Sequence, residues 1–120
     1  MKLYRFDREV TKKSTQYDSQ NLFMARIARL DGKTSVDCMY LDAHGVVGFH
    51  QASSNQLFMV VQGSGWARGE DEQRVPIEAG QAAFWEASEW HESGTDDGML
   101  VIVIEGPLVD PTGFMPELTG

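Results

Sequence analysis

Short apolar stretches recur along the chain at intervals of about ten residues, separated by clusters of Gly, Asp, Asn and Ser, and that spacing predicts a β-sandwich or barrel. Leu22 to Leu30 reads as a strand. Asp31-Gly32-Lys33 follows as a hairpin turn, because Asp-Gly supplies the positive φ such a turn needs. Thr34 to Ala43 is the next strand, with Val36, Cys38 and Tyr40 on one face by the two-residue period. Leu57 to Gln62 is apolar up to its last residue, as expected of a strand covered on both sides. Gly63-Ser64-Gly65 is expected to turn the chain into Trp66-Ala67-Arg68. Val75 to Gly80 holds Pro76 and reads as a short edge strand and turn, since proline cannot donate to a sheet interior. Ala82 to Trp85 and Met99 to Glu105 complete the set. Asp7 to Asn21 is polar and predicts a short helix or an N-terminal arm. The tail Gly106 to Gly120 carries three prolines and is expected to be irregular, with Phe114 and Met115 available to pack on the barrel or on a second subunit.

The 120 residues read as one domain, 1–120, with one hydrophobic core and neither repeat nor linker. A hydrophobic fraction of 42% is that of a folded domain. No apolar run approaches the roughly 20 residues that span a bilayer, so no membrane span is expected. Met1 to Asp7 lacks an apolar signal core. The single cysteine, Cys38, has no internal disulfide partner. A cytoplasmic protein is the expectation, with Cys38 a small buried apolar residue and not a nucleophile. The formal charge is −8, from ten basic and eighteen acidic side chains. Such a surface repels phosphates, which argues against nucleic-acid binding and against strongly anionic substrates.

Candidate chemistry lies in two stretches. The first is Gly45-Val46-Val47-Gly48-Phe49-His50-Gln51-Ala52-Ser53-Ser54-Asn55-Gln56, followed by an apolar run to Gly63. The second is Gly80-Gln81-Ala82-Ala83-Phe84-Trp85-Glu86-Ala87-Ser88-Glu89-Trp90-His91. Together they resemble the two motifs of the cupin superfamily, and the likeness covers about residues 45–95. The resemblance implies an all-β, single-domain jelly-roll barrel (a double-stranded β-helix) with an interior metal or ligand pocket. It also implies a homodimer, and the general likeness is to small bacterial single-domain cupins with no assigned activity.

In the cupin pattern the first motif carries two histidines and an acid, and the second carries one more histidine, all converging on a divalent metal. By that resemblance His50 matches the first histidine, Gln56 the acid and His91 the histidine of the second motif, while Gly63 and Gly80 match framing glycines. The chain departs from the pattern at Ala52, which stands at the second histidine and cannot ligate, and at Gln56, which puts an amide for a carboxylate. Glu86 and Ser88 replace the usual proline and glycine, and Thr95 stands where asparagine is common. The candidate metal set is therefore His50, Gln56 and His91. Imidazole suits Zn, Fe, Ni and Cu, and an amide oxygen is a weaker partner; the cofactor expected is a divalent transition metal, Fe, Mn, Zn or Ni. Such a set leaves coordination positions open for water or substrate.

Glu86 is the candidate proton-transfer residue beside His91, since a carboxylate near an imidazole can act as an acid–base partner; a surface acid is the plainer reading of Glu86, Glu89 and Glu92. Phe49, Phe58, Phe84, Trp85 and Trp90 bracket the motifs as pocket or core rings. His44 lies outside the motif and is expected to be exposed. Two functions follow. One is a metal-dependent enzyme of oxygenase or isomerase type acting on a small neutral or aromatic molecule. The other is a metal-free barrel that binds a small ligand, with the histidines and Gln56 as hydrogen-bond partners.

Overall fold

The computed structural model describes residues 8–30, 32–112 and 115–118. Among the described residues eight antiparallel strands form the fold: β1 (Lys12–Ser14), β2 (Gln20–Leu30), β3 (Thr34–Gln51), β4 (Gln56–Arg68), β5 (Val75–Glu78), β6 (Ala82–Trp85), β7 (Trp90–Gly94) and β8 (Met99–Glu105). Two single-turn 3-10 segments, Arg8–Val10 and Gln16–Asp18, flank β1, and the described residues contain no α-helix. No helix among them is long and apolar enough to cross a membrane.

Two long strands make the barrel. The first half of β3 pairs with β2 on one side and β8 on the other, from Ser35↔Glu105 to Leu41↔Met99. Its second half leaves β8 and pairs with β7, keeping β2 only at Gln20↔Val46. β4 does the same: Gln56 to Gly63 pair with β8 and Gln56 to Met59 also with β6, whereas Ser64 to Ala67 pair with β5 and Trp66 to Arg68 with β7. Each long strand therefore belongs to both walls of a jelly roll, and bulges or bends are what let a strand change sheets. In β3 the change falls at His44, whose φ is +63°. In β4 it falls at a register shift between Val60 and Gln62, followed by Gly63 at φ +85°. A Cβ on Gly63 would meet the Gly98 carbonyl oxygen at 2.4 Å, so only glycine fits there.

These crossings correct two sequence expectations. β3 does not end at Ala43, and Gly63-Ser64-Gly65 is a bend within β4 and not a turn. The apolar run of β4 is covered up to Val60, while Val61 is 54% exposed. The hairpin between β2 and β3 is as expected, with Gly32 and Lys33 at φ +86° and +67°; Asp31 lies outside the described residues. Cys38 is buried and free. The tail from Gly106 onward has no regular element among its described residues; Met115 is partly exposed and Phe114 lies outside the described residues.

Alternation on β8 divides inside from outside. Met99, Val101 and Val103 are buried, with Leu41, Val47 and Phe58 in the same core cluster. Leu22, Val47, Phe58 and Val103 of this cluster also line a cavity.

Candidate functional site

His50 ends β3 and His91 lies on β7, directly opposite it in the ladder. Side chains paired in this way project on the same face. Their ring centres are 4.4 Å apart. Gln56 opens β4, opposite Trp85 on one side and Glu105 on the other. All three candidate ligands line a single cavity of about 370 Å³, within the range of small-molecule pockets. The turn Ala52–Asn55 joins the two strands that carry His50 and Gln56. Ala52 itself is 3% exposed and tied by its backbone to Glu89 and Ser88.

The two imidazoles are held in defined tautomers. His50 Nδ1 donates to the Gly48 carbonyl at 2.6 Å, and His91 Nδ1 donates to the Glu89 carbonyl at 3.3 Å. A carbonyl only accepts, so Nδ1 carries a proton in each ring and Nε2 is the nitrogen left for another partner. His91 is 2% exposed, and Trp85 stacks on it at 4.4 Å. Burial, followed by the proximity of His50, lowers the His91 pKa to about 4. His91 is therefore neutral at pH 7, and its buried Nε2 has no hydrogen-bond partner among the described residues.

No protein-family model and no curated protein sequence matches the chain. Solved structures do. A predicted oxalate decarboxylase from Thermotoga maritima aligns over 88% of this chain and 100% of its own, at 17% identity and a TM-score of 0.75. A Cupin 2 conserved barrel domain protein from Salinispora arenicola aligns over 90% of each chain, at 13% identity and a TM-score of 0.72. KdgF from a Halomonas species aligns over 82% of this chain and 93% of its own, at 21% identity and a TM-score of 0.65. The chain has the cupin fold.

Within this cupin barrel the other candidate residues fall in different places. Glu86 is exposed on the connection between β6 and β7 and is not among the residues lining the cavity. The strand containing His91 starts only at Trp90, so the β7 alternation does not extend back to Glu86. Glu92 pairs with Arg68 at 2.7 Å, away from the cavity. His44 is exposed, as expected. Phe58 and Trp85 are buried in the core, whereas Phe49 and Trp90 are partly exposed and pack together outside it, with ring centres 5.3 Å apart.

Residues that the motifs did not point to complete the lining. Glu105 and Asp37 bring carboxylates, Arg26 a guanidinium, and Tyr17 an aromatic ring. Glu105 Oε1 accepts a hydrogen bond from Ser53 Oγ at 2.7 Å. Glu105 was within reach of sequence reasoning, because it continues the inward phase of Met99, Val101 and Val103. Tyr17 gave no such signal, since its place depends on how the arm docks.

The donor set fits a divalent transition metal in two respects. Both imidazoles give Nδ1 to a backbone carbonyl, which fixes ring orientation and leaves Nε2 as the atom that would ligate. The orphaned Nε2 of His91 calls for a partner, since an unsatisfied buried polar atom is costly. Among the described residues no group of three His, Cys, Asp or Glu side chains gathers, so the third donor would be the Gln56 amide.

Proposed function

We propose that the protein is a small-molecule-binding cupin in which His50, Gln56 and His91 hold a divalent transition metal (Fe, Mn, Zn or Ni) and the ligand enters the cavity beside them. The observation that carries this reading is the buried, neutral His91 whose Nε2 lacks a partner. Such a metal, when bound, supplies Lewis acidity for isomerisation or oxygenation. The protein's own groups bind and orient the ligand: Phe58 and Val103 offer apolar wall, and Ser53 and Gln51 offer polar contacts. The proton-moving role falls to Glu105, which lines the cavity, in place of the exposed Glu86. Calorimetric titration of chelator-treated protein with Mn²⁺, Fe²⁺, Zn²⁺ and Ni²⁺ tests the assignment. One site per chain is expected, lost in His50→Ala and His91→Ala and weakened in Gln56→Ala. Unchanged binding in both histidine variants would overturn it.

Ala52 favours a second reading. A buried methyl group and a neutral amide stand where an imidazole and a carboxylate would strengthen a metal site. In that case the barrel binds its ligand without metal, and a donor group of the ligand meets His91 Nε2. Thermal stabilisation by a ligand that a chelator leaves unchanged would separate the two.

The same reading includes a cytoplasmic homodimer with neither nucleic-acid nor membrane partner. The unpaired Cys38 and the acidic surface support it, as do the half-buried Leu100, Ile102 and Ile104 on the outer face of β8. Light scattering at the dimer mass is the expected result, and a monomer would contradict it.

A further inference from the structure

His50 belongs to a column of rings that runs from the surface to the core. Tyr17 lies on the imidazole with ring centres 3.7 Å apart and planes 3° from parallel. His91 is next, tilted by 59°, and Trp85 stacks on His91 with planes 21° apart. Phe58 meets Trp85 edge-on at 5.7 Å. His91, Trp85 and Phe58 are buried, so the core fixes them. His50 is half-buried, and its described ring contacts are His91 and Tyr17. Tyr17 is the outermost member, 55% exposed.

Tyr17 is not part of the barrel wall. It sits on the polar arm between β1 and β2. Tyr17 and Asp18 have φ values of +59° and +58°, a left-handed conformation that L side chains adopt only when surroundings impose it. Those surroundings are specific. Ser19 is buried; its Oγ donates to the Gln16 carbonyl at 2.6 Å and accepts from the Gly48 N–H at 3.1 Å. Gly48 also gives the arm its seat, because a Cβ there would lie 1.6 Å from the Tyr17 carbonyl oxygen. The same glycine accepts the Nδ1 hydrogen bond of His50. One residue thus seats the arm and sets the imidazole tautomer.

We propose that Tyr17 is a positioning residue for His50: the docked arm fixes the plane of the imidazole, and with it the direction of Nε2, so that arm and pocket work as one unit. This rests on the reading of His50 as a side chain that binds metal or ligand. A parallel aromatic ring restrains imidazole rotation without competing for its nitrogens, and groups that orient a ligating histidine typically change metal affinity by 10-fold or more when removed.

The test uses Tyr17→Ala and Tyr17→Phe in the full chain, read by NMR of the His50 imidazole and by Zn²⁺ titration of chelator-treated protein. Backbone amide signals away from the arm serve as the folding control. In the wild type the His50 ring protons are shielded by the Tyr17 face. Tyr17→Ala is expected to move them downfield and to weaken Zn²⁺ binding about tenfold, and Tyr17→Phe is expected to restore both. Ring signals unchanged in Tyr17→Ala would overturn the proposal, as would a Tyr17→Phe that behaves like Tyr17→Ala. So would ring signals that move with no loss of affinity. A wild type that takes up no Zn²⁺ would sink the metal reading of the site, and ¹³C relaxation of the His50 ring would then decide the role of Tyr17: added ring motion in Tyr17→Ala but not in Tyr17→Phe is expected, and unchanged motion would overturn the proposal.

Discussion

A pH dependence of folding can be worked from His91. The side chain is 2% exposed, stacked on Trp85, and close to His50. Burial and then the charge of His50 lower its pKa from 6.5 to about 4 in the folded protein. In the unfolded chain it returns to about 6.5. Between those values the unfolded chain takes up a proton that the folded protein refuses. Stability is therefore complete above about pH 6.5, falls as pH drops towards 4, and loses no more from this source below that. A pKa change of this size corresponds to about 3 kcal/mol, a large share of the roughly 5–15 kcal/mol that holds a domain together. The assay is urea unfolding of chelator-treated wild type and His91→Gln, from about pH 7.5 to about pH 4. Carboxylates titrate in both proteins, so the difference between the curves isolates His91. The wild type should lose about 3 kcal/mol more than the variant over that range. Parallel curves would refute the claim that His91 is buried in its neutral form.

Other substitutions follow from the same packing. Phe58→Ala removes a fully buried ring that meets Trp85 edge-on and should cost about 4 kcal/mol in urea unfolding; a loss under about 1 kcal/mol would mean the cavity wall is not a packed core. Arg68→Ala strands Glu92, its partner at 2.7 Å, and uncovers the Phe49 ring beneath the guanidinium, for an expected loss of about 2 kcal/mol. Ser19→Ala breaks both hydrogen bonds that hold the arm, and should speed hydrogen exchange at residues 16–19 while the amides of β8 stay protected.

Much of the fold was legible because alternation has a fixed period. The β2–β3 hairpin, the edge strand with Pro76, and β6 and β8 all lie where the apolar pattern placed them. What the pattern could not convey is where one long strand passes from one wall to the other. His44 and Gly63 read locally as turn residues, yet each sits inside a continuous strand, because a positive φ bends a paired strand as readily as it ends one. The site was legible through His50, Gln56 and His91, which share a cavity. Glu86 looked close to His91 only if strand geometry ran unbroken between them, and the chain bends at Ser88, where φ is +74°. Tyr17 lay beyond sequence reasoning because its contact with His50 depends on Gly48 lacking a side chain and on a left-handed backbone.

The central claim is that the paired imidazoles and Gln56 form a metal-holding pocket, and elemental analysis tests it most directly. The protein would be purified without chelator or immobilised nickel, beside His50→Ala prepared in the same way. About one equivalent of Fe, Mn, Zn or Ni per chain is predicted for the wild type, and none for the variant. A wild type that carries no metal and takes none up, or a His50→Ala that keeps a full equivalent, would contradict the account.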